Sequence, residues 1–284
     1  MPETAAQLKM QRETRIAYGP APRTLGSEPL APMCWQLRGE EFLLRGEGDH
    51  YFYYRKGDGI MIEQGTVLDL SEESLWLNGS VYAAVASING LLPIHASAVA
   101  YADKVFAFAG PAGAGKSTLV AALGNCGLPM FCDDTLVLDL SSPEQIICLP
   151  GHKRLKLTAE ALSLTAASRE ERVSQTVEKF YAQPPAGHIR RVLPLAELIF
   201  LEDGPTSAFI PITGGERLTR MQDDHETAFL FAAARQFAPA EQFGHLTRLA
   251  KQIKMSRFVR PRTGSSFQEV VALAAKHVTD AGRD

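Results

Sequence analysis

Lys104-Val-Phe-Ala-Phe-Ala109, then Gly110-Pro-Ala-Gly-Ala-Gly-Lys-Ser-Thr118, then Leu119-Val-Ala-Ala-Leu123 and, a few residues on, Gly127: this stretch decides the fold. Its middle satisfies G-x-x-x-x-G-K-[ST], with Gly110, Gly115, Lys116 and Ser117 in the fixed places. The first run is short, apolar and rich in β-formers, which predicts a strand. The last is made of good helix formers, and Gly127 is a stop signal. Strand, glycine loop and helix in that order aim backbone N–H groups and a helix N-terminus at polyphosphate. Gly110, Gly113 and Gly115 let the backbone bend round an oxyanion without a Cβ in the way. Lys116 can reach β- and γ-phosphates, and the Ser117 hydroxyl suits Mg²⁺. The reading therefore assigns nucleotide contact to Gly110, Pro111, Ala112, Gly113, Ala114, Gly115, Lys116, Ser117 and Thr118. The alternative, a glycine-rich turn opening an ordinary helix, leaves the correct flanks on both sides unexplained.

Sixteen residues beyond Ser117 stands Asp133-Asp134, between the apolar runs Leu128-Pro-Met-Phe-Cys132 and Leu136-Val-Leu-Asp-Leu140. Adjacent carboxylates at a strand edge can divide two tasks, one reaching Mg²⁺ and the other taking a proton from an attacking hydroxyl. Like charges so close favour a raised pKa for one of them. A solvated turn between strands is the plain alternative. His95, in Leu92-Pro-Ile-His-Ala-Ser-Ala-Val99, lies fifteen residues before Gly110. Alone it reads as a hydrogen-bonded structural histidine.

Together, His95-Ala-Ser-Ala-Val99, the loop Gly110–Ser117 and Asp133-Asp134 at these separations resemble the catalytic core of HPr kinase/phosphorylase and its relatives. The resemblance resumes at Arg190-Arg-Val-Leu-Pro-Leu-Ala-Glu-Leu-Ile-Phe-Leu-Glu202 and at Val259-Arg-Pro-Arg-Thr-Gly-Ser-Ser-Phe-Gln-Glu-Val-Val-Ala-Leu-Ala-Ala275, so it covers residues 92 to 278. It implies a mixed α/β fold with a P-loop nucleotide-binding core and a serine kinase acting on a small protein or peptide with ATP and Mg²⁺. Carried over, Asp133 is the acid/base residue and His95 its neighbour. Lys116 and the loop amides hold the triphosphate, Ser117 ligates the metal, and Asp134 takes the place of the family's second aspartate as a metal ligand. The departures narrow the sub-family. Ala112 and Thr118 replace the family's usual Ser and Glu, and Leu149-Pro-Gly-His-Lys-Arg-Leu-Lys-Leu157 is basic where the family carries a further metal carboxylate. Reverse phosphorolysis and HPr itself are thus not implied. The shorter HPr-kinase-like proteins found beside peptide-modification genes, those of lasso peptides included, are the nearer resemblance, and they imply a precursor-peptide serine as acceptor. A small-molecule kinase on the same loop and a non-enzymatic nucleotide-dependent module stay open as rivals. The resembled family forms hexamers, which leaves a homo-oligomer open too.

Composition agrees with a globular enzyme. The chain has 284 residues, 45% of them apolar and 21% charged, enough for one large α/β domain and a smaller one. A net charge of −3 gives no reason to expect nucleic acid or an acidic membrane as partner. The apolar runs fall short of the roughly 18 residues a membrane span needs, and Met1–Lys9 lacks a basic-then-apolar signal pattern, so the expectation is cytoplasmic. Cys34, Cys126, Cys132 and Cys148 show no C-x-x-C spacing and read as buried thiols.

Residues 1–90 form a β-rich N-terminal subdomain with a flexible, proline-punctuated start, and 91–284 the catalytic domain. Within the first, Phe42–Leu44, Tyr51–Tyr54 and Gly59–Ile62 are β-like runs separated by glycine turns, and the Tyr51–Tyr54 cluster reads as a half-buried strand. Ser74–Gly90 reads as a helix with Leu75, Val81, Val85 and Ile88 inward. In the second, the basic run His152–Lys156 is a solvated turn, a phosphate clamp or a peptide-binding edge, and Ser168–Arg172 an exposed turn. Lys179 and Arg190 are candidates for charge compensation. Leu198-Ile-Phe-Leu-Glu-Asp203 could instead be the metal-carboxylate strand of an ordinary ATPase. Residues 223–254 read as helical, with Phe229, Phe231, Phe237, Phe243, Leu246 and Leu249 as apolar faces interrupted by Pro239.

Overall fold

The computed structural model describes residues 3–65, 70–151, 154–174, 177–221, 226–235, 239–262 and 266–283. The fold is mixed α/β with three sheets. The chain opens with α1 (Ala5–Glu13), capped by the Thr4 hydroxyl, which accepts from the Gln7 N–H at 3.2 Å. A helix thus stands near the start of the segment expected to be irregular. It is fixed through Glu13, whose buried carboxylate accepts from the Tyr54 hydroxyl and the Gly57 N–H, both at 2.8 Å.

Next come β1 (Ile16–Tyr18), β2 (Cys34–Arg38), β3 (Glu41–Arg45), β4 (Tyr51–Arg55) and β5 (Gly59–Glu63), which form a sheet in the order β1-β5-β4-β3-β2. Only β1 runs parallel to its neighbour. The aromatic run on β4 is strand core, with Phe52 and Tyr54 fully buried and Tyr51 nearly so. The expected helix after this sheet begins earlier than its period suggested, as α2 (Leu70–Trp76). It passes through a π-helical turn at Leu77–Val81 and continues as α3 (Tyr82–Ile88). Val81, Val85 and Ile88 point inward as expected, but Leu75 lines a cavity instead.

The second sheet is the large one. It holds β6 (Leu92–Tyr101), β7 (Lys104–Ala109), β8 (Met130–Cys132), β9 (Thr135–Asp139) and β10 (Ile147–Leu149). α4 (Lys116–Asn125) lies between β7 and β8. The segment after β10 supplies a third, three-stranded sheet: β11 (Leu155–Leu157), then α5 (Ala159–Leu164), then β12 (Ser168–Arg172) and β13 (Phe180–Gln183), in the order β11-β13-β12. Ser168–Arg172, expected to be a turn, is therefore a strand, though an exposed one. The chain re-enters the large sheet with β14 (Leu193–Asp203) and β15 (Ala208–Pro211). After α6 (Glu216–Thr219), α7 (Glu226–Ala234) and α8 (Pro239–Gln252) come β16 (Lys254–Arg260) and α9 (Phe267–Arg283). Proline at the first position of α8 starts that helix, since its missing N–H would have had no intrahelical partner there. Phe237 and the His152-Lys153 pair lie outside the described residues.

The large sheet runs β10-β9-β6-β7-β14-β16-β15, with β8 on β6 and β10 also paired to the start of β14, so five of its strands close a circuit. β7, β14 and β16 are mutually parallel at its centre. Alternation assigns its two faces. Phe106, Phe108 and Ile199 pack with Leu119, Leu123, Val270 and Ala274 from α4 and α9, while Ala107, Leu198 and Phe200 face Phe231, Leu249 and Ile253 from the α7–β16 stretch. In α7 and α8, Phe229 and Phe243 are exposed, not core as the period implied. A third core joins the first sheet to α3 and to Val137 and Ile147 of the large sheet. Cys132 and Cys148 are buried as expected, and burial pushes the Cys148 thiol well up, whereas Cys34 and Cys126 are exposed. Among the described residues no helix is long and apolar enough to cross a membrane.

Candidate active site

The chain leaves the centre of the large sheet at Ala109, turns through the glycine loop and enters α4. Gly110 has φ 145, and a Cβ there would lie 3.3 Å from the Leu201 carbonyl oxygen. Gly115, at the N-cap of α4, has φ 85, and a Cβ there would lie 3.2 Å from a guanidinium nitrogen of Arg260. Both positions therefore need glycine for conformation and for space. The first N–H groups of α4 lack intrahelical acceptors, as at any helix start. At its far end Gly127 (φ 81) and Leu128 donate to Gly124 and Leu123, a Schellman closure. The Lys116 side chain is buried, and its ammonium donates to the carbonyls of Gly110 at 2.7 Å and Pro111 at 3.0 Å.

Opposite the loop, the joint between β8 and β9 presents the two aspartates in different surroundings. Asp133 is 1% exposed. Its Oδ1 accepts from the hydroxyls of Ser117 at 2.7 Å and Ser97 at 2.6 Å, and its Oδ2 accepts from the Lys156 N–H at 3.1 Å. Those bonds are what allows a carboxylate to sit there, since an unsatisfied one would be strongly disfavoured. Asp134 has φ 72, and the Thr135 N–H bonds back to the Asp133 carbonyl at 2.9 Å around it. This three-residue turn holds a non-glycine residue in the left-handed region, a strain of about 1–3 kcal/mol of the kind that concentrates at functional sites. Asp134 lines the cavity and is paired with the Lys156 ammonium at 2.6 Å. His95 donates from Nδ1 to the Asp134 carbonyl at 3.0 Å, with Nδ1 3.7 Å from its Oδ1.

The cavity between these groups measures about 540 Å³, within the range of small-molecule sites. Ala112–Thr118, His95, Ser97 and Asp134 line it, with Lys156, Lys179, Arg260 and Arg262 as further cations and Leu164, Val173, Val177 and Phe267 among the apolar groups. Gly110, Pro111 and Asp133 are not among its lining residues. The Lys156 side chain is 12% exposed. Burial alone would lower its pKa, but the Asp134 carboxylate outweighs it, so the ammonium is held above the usual lysine range. Of the two candidates for charge compensation, Lys179 lines the cavity, while Arg190 bonds His188 at 3.0 Å away from it.

The structure places Lys116, Ser117, Asp133, Asp134 and His95 near one another, and joins Ser117 to Asp133 and not to Asp134. The rival carboxylates at the end of β14 do not line the cavity: Glu202 pairs with Arg220 at 2.5 Å, and Asp203 with Arg262, itself a lining residue, at 2.7 Å. Sequence reasoning missed Ser97 and Arg260, and it named Lys156 only within a basic run, without its pairing to Asp134. The alternation Leu155-Lys156-Leu157, with both leucines buried, is a signal that could have turned Lys156 toward a different face from its neighbours.

No protein-family model and no curated protein matches the chain. Among solved structures it is similar to the HPr(Ser) kinase/phosphatase from Coxiella burnetii, at a TM-score of 0.36 and 13% identity over 65% of this chain and 89% of that one.

Proposed function

We propose that the chain is an ATP-dependent serine kinase of the HPr-kinase-like type, which transfers the γ-phosphoryl group of ATP to a serine of a small protein or precursor peptide. One observation carries the reading: the Ser117 hydroxyl, opening the helix after the glycine loop, meets the buried carboxylate of Asp133 at 2.7 Å. A hydroxyl and a carboxylate at the N-terminus of a helix are hard oxygen donors suited to Mg²⁺, which commonly takes one or two carboxylates and completes its shell from phosphates and water. One hydroxyl and one carboxylate leave most of the shell to phosphate and water, which suits Mg²⁺ better than a dedicated all-protein metal cage.

In this reading Ser117 and Asp133 would hold the metal, which would supply charge neutralisation to the phosphates. Lys116 swings from its carbonyl partners onto the same phosphates. Asp134 lines the cavity and takes the proton from the acceptor hydroxyl; Lys156 supplies the counter-charge of its carboxylate and His95 fixes its backbone. Positioning and charge compensation supply most of the rate in phosphoryl transfer. The motif resemblance gave the base role to Asp133, and it is the different exposure of the two carboxylates that favours the exchange. The peptide acceptor rests on that resemblance alone.

The test is transfer from γ-labelled ATP with Mg²⁺ to candidate small proteins and precursor peptides. Asp134→Asn is expected to lose transfer and keep Mg-ATP binding, whereas Asp133→Asn loses Mg²⁺-dependent affinity as well. Full transfer by both variants would sink the assignment. Mg-ATP bound by wild type without transfer to any acceptor would favour the non-enzymatic module.

A further inference from the structure

The least expected group at the cavity is Arg260, the last residue of β16. It is 9% exposed, and an arginine is almost never that buried without an anion beside it. Among the described residues, no carboxylate lies within ion-pair distance of it. Asp203, whose charge reaches it, is held instead by Arg262 at 2.7 Å. One guanidinium N–H bonds the Ala114 carbonyl, and Nε has no partner among the described residues. Burial, only partly offset by Asp203, lowers its pKa. A guanidinium stays charged regardless, so it remains a buried cation with one neutral acceptor.

Its position says which anion it suits. Arg260 touches the C-terminal arm of the glycine loop, at Ala114 and Gly115, whereas Lys116 folds back to the opposite arm at Gly110 and Pro111. In such loops the backbone amides at the helix start surround the α- and β-phosphates, and the lysine reaches the β- and γ-phosphates. We propose that Arg260 is a nucleotide-binding residue that grips the α/β-diphosphate across from Lys116. The inference rests on the nucleotide reading of the cavity and extends it to a residue outside the loop motif. A contact to the diphosphate is made before and during transfer alike, so it governs affinity and not the chemical step.

The experiment titrates wild type, Arg260→Met and Arg260→Gln with Mg-ATP and with Mg-ADP by calorimetry, and melts each protein without nucleotide. The Gln side chain is polar but uncharged and ends at the level of the arginine Nε, so the pair of variants separates loss of the charge from loss of a polar group. Both variants are expected to weaken ATP and ADP in parallel, by about 10- to 100-fold. Their nucleotide-free melting temperatures should equal or exceed wild type, because an uncompensated buried charge has gone. Unchanged affinity in a folded Gln variant would overturn the proposal, and so would a loss confined to ATP. Wild type binding neither nucleotide would fail earlier, at the reading on which it rests.

Discussion

At the scale of single residues, the site is a small set of cations and carboxylates whose pairings differ from what their spacing suggests. Lys156 is the clearest case, because its ammonium and its own backbone N–H serve the two adjacent aspartates separately. The sign of its linkage is fixed by its raised pKa. The ion pair with Asp134 contributes stability that is fully present below the unfolded lysine value of about 10.4. That contribution is lost as pH rises through the higher folded value. Melting curves across this alkaline window should show wild type losing its advantage over Lys156→Met; parallel curves would mean the pair adds nothing. Lys116→Ala should lower ATP affinity by at least about 10-fold and transfer with it, as read by titration and by label incorporation. The loop, Asp133, Asp134 and His95 were all legible in the sequence, because a glycine loop and its lysine are local chemistry. The pairing of Ser117 with Asp133 in place of Asp134 was not, since a one-residue choice depends on a turn whose left-handed residue no spacing reveals.

At the scale of elements, strand and helix positions near the loop follow from local pattern, and departures occur where tertiary contacts override it. The helix expected over 74–90 has a π-helical turn at Leu77–Val81, and a Cβ on Gly79 within it would lie 3.6 Å from Asp134 Oδ2. A 3.6-residue period cannot register one inserted residue, and such turns often mark functional sites. On the other side, α9 is fastened to the sheet by Glu197 of β14, which is fully buried. It accepts from Ser256 of β16 at 2.6 Å and pairs with His277 of α9 at 2.9 Å and Lys254 at 3.3 Å. Burial alone would raise the Glu197 pKa, but His277 and Ser256 outweigh it, so the carboxyl is held below the usual range. Its contribution is therefore present above the unfolded value of about 4.3 and is lost as pH falls through the lower folded value. Glu197→Gln should cost about 1–3 kcal/mol at neutral pH. The gap from wild type should narrow on acidification below pH ~4.3. A gap constant with pH in chemical denaturation would show that the charge is not what fastens α9.

At the scale of the whole molecule, the first sheet is not closed on itself. Phe42, Phe52 and Ile62 share one core with Val81 and Val85 of the helix, and with Val137 and Ile147 of the large sheet. The division at residue 90 is thus our proposal about sequence organisation, and the packing argues for one cooperative unit across it. Phe52→Ala should cost about 3–5 kcal/mol. Trp35 and Trp76 pack against the same core, so their fluorescence should report unfolding at the same denaturant concentration that releases a bound nucleotide analogue. Separate transitions would mean two independently stable parts. The strand–loop–helix at Lys104–Asn125, the aspartate pair and most strands of the first sheet could be read from local pattern, because each depends on residues close together in the chain. Tertiary structure alone decided that Ser97, Lys156 and Arg260 converge on that loop from β6, β11 and β16, and that Phe229 and Phe243 stay exposed. Burial and electrostatic pairing depend on which segments meet, and that is settled only when distant strands enter one sheet.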